Sequence, residues 1–258
     1  SNVSTCTATV TVEDNVDPIA LCQNITVQLD AAGNATISPS DIDNGSSDAC
    51  NPPTLSLDIT SFDCGDVGLN TVTLTATDAN SNTSTCTATV TVEDNVLPTA
   101  ICQNLTIQLD ATGNATITTG DIDNGSNDAC GIQSLSLDQT TFDCSNVGPN
   151  TVTLTVTDNN SNVSTCTATV TVQDIINPTA ICQNITVQLD ATGNATITTA
   201  DIDNSSFDNC GIASLSLDQT TFDCNDVGPN TVTLTVTDNN SNVSTCTATV
   251  TVEDNVDP

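Results

Sequence analysis

Thr85-Cys86-Thr87-Ala88-Thr89-Val90-Thr91-Val92 puts Cys86, Ala88, Val90 and Val92 on one side of an extended chain and four threonines on the other. Alternation with period two among β-branched residues marks a half-buried strand, because successive strand side chains point to opposite faces. Asn70–Thr77 repeats the pattern with Val72, Leu74 and Ala76 inward, and Ile25, Val27, Leu29 and Leu55, Leu57 make two shorter rows. Turn residues separate the rows: Gly33-Asn34, Asp43-Asn44-Gly45, Asn51-Pro52-Pro53 and Gly65-Asp66-Val67-Gly68. Such residues tolerate the backbone angles of tight turns. Six or seven short strands in about 80 residues predict an all-β chain of small antiparallel β-sandwiches.

The same octapeptide stands at 5–12, 165–172 and 245–252, and Ser1–Pro18 returns unchanged at Ser241–Pro258. Near copies begin at Ser81 and Ser161, so the chain is a tandem repeat with a period of 80 residues. The period predicts repeats at 18–97, 98–177 and 178–258. Residues 1–17 then read as the last strand of a preceding repeat, in a window onto a longer array. The other reading is a donor strand that completes a neighbouring subunit.

Composition excludes several functions. The 258 residues include 32 acidic side chains and no Lys, Arg or His, for a net charge of −32. A basic surface for nucleic acid or anionic lipid is therefore absent. The commonest general bases and the Schiff-base nucleophile are missing too, and the four aromatics are Phe62, Phe142, Phe207 and Phe222. Carboxylate pairs that hydrolyse glycosides need a cleft, usually with aromatics, so an enzyme is not expected. No apolar run approaches the ~18 residues of a membrane helix, and no membrane insertion is expected. Flat threonine rows such as Thr71, Thr73, Thr75 and Thr77 invite an ice-binding reading, which the twist of sandwich sheets disfavours.

Thirteen cysteines without histidine point to disulfides and so to an extracellular or cell-surface location. They recur as Cys22, Cys50, Cys64, Cys86; Cys102, Cys130, Cys144, Cys166; and Cys182, Cys210, Cys224, Cys246, with Cys6 left over. Four cysteines allow three connectivities. Pairing Cys22 with Cys86 and Cys50 with Cys64 leaves Cys6 the sole orphan and ties first strand to last. The longer loop is worth roughly 4 kcal/mol and the shorter roughly 3, which matters in a repeat with so thin a core.

Acidic residues gather at three places in each repeat. The first is the boundary: Asp14, then Glu93-Asp94-Asn95, then Asp174 and Asp254. Of the boundary acids only the Asp of this series holds in all four copies, since Gln173 replaces Glu and Ile175 replaces Asn. The second is Asp41-Ile42-Asp43 with Asp48, recurring as Asp121, Asp123, Asp128 and Asp201, Asp203, Asp208. The third is Asp78, Asp158 and Asp238, each followed by asparagines. A sandwich brings these loops to the end that receives the boundary segment. Like charges 4 Å apart repel by about 4 kcal/mol near a protein surface, and no basic residue is present to neutralise them. A hard divalent cation, Ca2+, fits an all-oxygen set of this kind.

The run from the boundary proline through Cys-Gln-Asn-Ile-Thr-Val (22–27) to Thr-Val-Thr-Leu-Thr-Val-Thr-Asp (151–158) and Thr-Cys-Thr-Ala-Thr-Val-Thr-Val resembles tandem hyalin repeats. Val-Glu-Asp-Asn-Val-Asp-Pro (12–18) is similar to the calcium-binding linkers of cadherins. The resemblance covers all three repeats and implies tandem immunoglobulin-like sandwiches of a long extracellular protein, with a stalk, adhesin-shaft or filament role and no catalytic residues. Cys50, Cys64 and the absence of basic residues exceed what that module requires. The expected partners are neighbouring repeats of the same chain or filament, and glycans. Asn-x-Ser/Thr acceptors stand at Asn24, Asn34, Asn44, Asn82, Asn104, Asn114, Asn124, Asn162, Asn184, Asn194, Asn204 and Asn242. A carbohydrate- or receptor-binding adhesion module is the alternative function. It needs one divergent repeat, and Phe207 is the one conspicuous private feature.

Overall fold

The computed structural model describes residues 1–255; the last three residues of the expected third repeat lie outside them. Chain order in the first repeat is β1 (Ile25–Gln28), β2 (Asn34–Thr36), α1 (Pro39–Ile42), β3 (Thr54–Leu57), β4 (Ser61–Asp63), a 3-10 turn Cys64–Asp66, β5 (Gly68–Thr77) and β6 (Thr83–Glu93). The second repeat has β7 (Leu105–Gln108), β8 (Asn114–Thr116), α2 (Thr119–Ile122), β9 (Ile132–Leu137), β10 (Thr141–Asp143), β11 (Gly148–Asp158) and β12 (Val163–Gln173). The third has β13 (Ile185–Gln188), β14 (Asn194–Thr196), α3 (Thr199–Ile202), β15 (Ile212–Leu217), β16 (Thr221–Asp223), β17 (Gly228–Asp238) and β18 (Val243–Glu253). Each repeat makes one four-stranded sheet, ordered β1-β6-β5-β3 in the first, and one two-stranded sheet such as β2-β4. The chain is thus three all-β, sandwich-like repeats.

By internal packing the residues form two units. One comprises 1–100, 126–135 and 155–164; the other comprises 101–125, 136–154 and 165 onward. In the first, β5 and β6 form a long hairpin in which Val72 faces Ala88 and Leu74 faces Cys86. Val72, Leu74 and Val90 are wholly buried and pack with Ile42 and Phe62. In the second, Val232, Leu234 and Val250 pack with Ile202 and Phe222. Burying each such side chain is worth about 1.5–3 kcal/mol. The inward residues are the apolar members of the alternating rows, and the threonines face outward.

Two features depart from a plain antiparallel reading. β1 runs parallel to β6, with Ile25 opposite Val90 and Val27 opposite Val92; alternation fixes the buried face of a strand but carries no direction. Ser1–Asp17 forms no strand although its sequence is that of β18 and its flank. Val10 and Val12 are 83% and 89% exposed, whereas Val250 and Val252 are 0% and 1% exposed. Burial here comes from the flanking strands, not from the octapeptide itself.

The cysteine pairing also corrects the expected one. Cys22–Cys86, Cys102–Cys166 and Cys182–Cys246 each close one repeat. Cys50 and Cys64 are not joined, nor are Cys130 and Cys144, nor Cys210 and Cys224. Instead Cys64 bonds Cys130 and Cys144 bonds Cys210, each joining one repeat to the next. Cys50 lies beside Asp14 at the entry to its repeat. Cys64 lies on the turn after β4, against Gly33. β3 and β4 separate the two, so a spacing that looks like a local loop spans the repeat. Cys6, Cys50 and Cys224 are free and exposed, where one orphan was expected.

Candidate metal centres at the repeat joints

The hairpin turn after β5 is held by Asp78, whose Oδ1 accepts the Asn80 and Asn82 N–H groups at 2.9 and 2.7 Å. Ser81 adopts a left-handed φ of 74° in this turn, as do Ser161 and Ser241 in theirs. The Asn82 side chain donates to Asp78 Oδ2 at 2.7 Å and to the Asp14 carbonyl at 3.1 Å. Asn162 and Asn242 bind the Asp94 and Asp174 carbonyls in the same way, at 3.1 and 3.2 Å. Sequence therefore builds a clamp: an Asp-stabilised turn presents an asparagine amide to the linker aspartate 68 residues earlier.

The clamp gathers carboxylates. Oxygens of Asp174, Asp208 and Asp238 lie within 4.8 Å of one another, and those of Asp94 and Asp128 and of Asp14 and Asp48 are as close. Asp14, Asp48, Cys50 and Asp78 also line one shallow cavity. The loop aspartate is oriented by the backbone two residues on: the Cys130 and Cys210 N–H groups donate to Asp128 Oδ2 and Asp208 Oδ2, both at 2.7 Å. Cys130 Sγ lies in the Asp94–Asp128 group but is spent in a disulfide, so no thiolate ligand arises there.

Unsatisfied acceptors decide what the centres want. Asp94 and Asp174 are only 5% and 6% exposed, and the Oδ2 of each has no hydrogen-bond partner. Asp208 Oδ1 and Asn209 Oδ1 are likewise buried and unpartnered. These four orphans are oxygen acceptors, and the chain has no Lys, Arg or His to approach them; the one other buried unpartnered polar side-chain atom among the described residues is the Ser84 hydroxyl, outside the acidic groups. Leaving a buried acceptor unmade costs about 1–3 kcal/mol, more when it is charged. Burial, and then the charges of Asp238 and Asp174, push the Asp208 carboxyl above its ordinary value. The donor set fits a hard divalent cation of the calcium type, which takes carboxylate, amide and backbone oxygens in flexible geometry.

The other acidic residues lie elsewhere. Asp41 Oδ2 accepts the Ser38 N–H and hydroxyl, both at 2.7 Å, capping α1. Asp121 and Asp201 cap α2 and α3 through Thr118 and Thr198. Asp43 Oδ1 accepts the Ser46 N–H at 2.8 Å and Asp203 Oδ1 the Ser206 N–H at 3.1 Å. Asp123 pairs with Cys102 across an isolated bridge. Glu93 and Asn95 bind the Gln28 side chain at the exposed edge of β1. Sequence reasoning missed Asn209, although Asp208-Asn209-Cys210 stands where the other repeats have Asp-Ala-Cys. Asn82, Asn162 and Asn242, read as glycan acceptors, have their side-chain nitrogens engaged in the clamp. Phe207 is 58% exposed and bridges Thr179 through its backbone.

Asp58, Asp138 and Asp218 give a pH signature away from the centres. Each accepts a strand N–H, Thr73, Thr153 or Thr233, at 2.8 Å. That bond holds each carboxyl below its ordinary value. A depressed folded pKa gives stability that is present above the unfolded value of 3.8 and lost as pH falls below it. Asp218→Asn lowers the urea midpoint at pH 7 and leaves it nearly unchanged at pH 2. Equal losses at both pH values contradict the assignment.

No protein-family model and no curated protein matches the chain. Among solved structures, mouse cadherin-23 EC22–24 is similar at 13% identity and TM-score 0.38, over 92% of this chain and 99% of that one. An E-to-A variant of titin domains I67–I69 gives 11% and 0.36 over 93% and 97%. Protocadherin gamma B7 cadherin domains 1–4 give 11% and 0.36 over 91% and 75%. At TM-scores this low the likeness carries no argument, and the class rests on the strands themselves: a tandem, disulfide-linked all-β repeat protein with acidic joints. No helix among the described residues is long and apolar enough to cross a membrane.

Proposed function

We propose that the chain is part of an extracellular structural array, a stalk, adhesin shaft or filament, whose joints are stiffened by calcium. The observation that carries this reading is the set of buried, donorless oxygens on Asp94, Asp174, Asp208 and Asn209. The residues that would hold the ion are Asp174, Asp208, Asp238 and Asn209 at one joint. At the others they are Asp94 with Asp128, and Asp14 with Asp48. The ion supplies positive charge among carboxylates that otherwise repel. The protein's own part is orientation: Asn242 fixes the linker backbone at Asp174, and the Cys210 N–H aims Asp208.

Five disulfides and the absence of any cationic side chain support a durable role in oxidising surroundings. Repeats at 18–97, 98–177 and 178–258 are the proposed mechanical modules, with stability adding by repeat and by joint. The hyalin-repeat likeness and glycans on exposed acceptors such as Asn24 and Asn44 belong to the same reading. Scattering profiles in calcium and in chelator test it. A smaller radius of gyration and greater flexibility in chelator are expected; superimposable profiles contradict calcium stiffening.

A further inference from the structure

The five disulfides overlap in sequence. Cys22–Cys86 is still open when Cys64–Cys130 begins; that bond overlaps Cys102–Cys166, which overlaps Cys144–Cys210, which overlaps Cys182–Cys246. Every peptide bond from Cys22 to Cys246 is therefore spanned by at least one disulfide. The three bonds within repeats would leave 87–101 and 167–181 unspanned, and these contain the linkers. Only Cys64–Cys130 and Cys144–Cys210 cover them. The linkers are also accessible: Leu97 and Ile175 are 61% and 53% exposed. Exposed connecting segments are the preferred sites of proteolytic nicking.

We propose that the joint disulfides Cys64–Cys130 and Cys144–Cys210, added to the three bonds within repeats, keep the chain covalently continuous after hydrolysis of any single peptide bond between Cys22 and Cys246. Hydrolysis adds one water across the cut bond and leaves a new carboxylate and a new amine. The two sides of a cut linker stay tied through sulfur, in a 66-residue separation that straddles it. Tension applied to the ends then has a second covalent route past the linkers within 87–101 and 167–181. Nothing here depends on a bound cation, so the idea stands or falls apart from the calcium reading.

The composition supplies the assay, because a chain without Lys or Arg has no trypsin site. Ile175→Lys and, separately, Thr99→Lys each create one site inside a linker. Val10→Lys creates one before Cys22, at a position 83% exposed and outside every span. Free thiols are alkylated, the protein is unfolded in urea without reductant, and it is then digested, so that cutting does not depend on folding. Mass spectrometry and denaturing gels are run with and without reductant.

Both linker variants should remain one species, heavier by one water, until reductant divides them in two. The Val10→Lys chain should release its first ten residues at once. Adding Cys144→Ser and Cys210→Ser to Ile175→Lys should let residues 1–175 and 176–258 separate without reductant. Separation of the singly substituted linker variants without reductant overturns the proposal. Disulfide mapping of the unsubstituted chain is the second measurement: a Cys50–Cys64 peptide pair in place of Cys64–Cys130 overturns it as well.

Discussion

A chain with Cys102 and Cys166 both replaced by serine loses up to about 4 kcal/mol of stability, the chain-entropy value for a loop of this size. The bond separates residues 64 apart and ties the entry segment of the middle repeat to β12. Cys64–Cys130 and Cys144–Cys210 survive in the variant and already restrict part of the unfolded chain, so 4 kcal/mol is the upper end. The loss is large because the repeat has little else: one buried phenylalanine, Phe142, and a few small aliphatics such as Val152, Leu154 and Val170. Domains of this size hold only about 5–15 kcal/mol in total. Denaturant midpoints without reductant measure the effect. A change below about 0.5 kcal/mol, the scatter of neutral surface substitutions, contradicts it.

Calcium at 100 times its dissociation constant stabilises by about 2.7 kcal/mol at each independent site, and chelator removes that amount. The thermal midpoint therefore falls on chelation, and refilling restores it. Asp174→Ala removes one carboxylate of the Asp174, Asp208 and Asp238 group and should abolish the calcium response of that joint while the strands persist. In chelator the same substitution relieves like-charge repulsion among the group, so the variant loses less stability without calcium than with it. A variant equally weakened in both conditions shows a packing role for Asp174 instead.

Much of the fold was legible because burial and alternation coincide. Val90 and Val92 were placed inward by period alone and are 0% and 1% exposed. The parallel edge was not legible, since Ile25–Gln28 reads the same in either direction. The joint disulfides were hidden because a short spacing between Cys50 and Cys64 looks local until β3 and β4 carry the chain between them. At the site, the linker aspartates Asp94 and Asp174 and the loop aspartates Asp128 and Asp208 were picked out by recurrence and are brought together. Asp41, Asp121 and Asp201 recur as faithfully for another reason: Ser38-x-x-Asp41 is a capping box, and its carboxylate is already spent on a helix end. Recurrence marks a constraint without naming it. Asn209 lay beyond an argument from recurrence because it occurs once; only its departure from the alanine of the other repeats marks it.

Equilibrium dialysis against calcium, followed by elemental analysis, tests the central claim most directly. The account predicts retained calcium in molar ratio with the chain, including one ion that is lost in Asp174→Ala. A chain that comes out of dialysis with no retained ion, or an Asp174→Ala variant that retains as many as the parent, contradicts it.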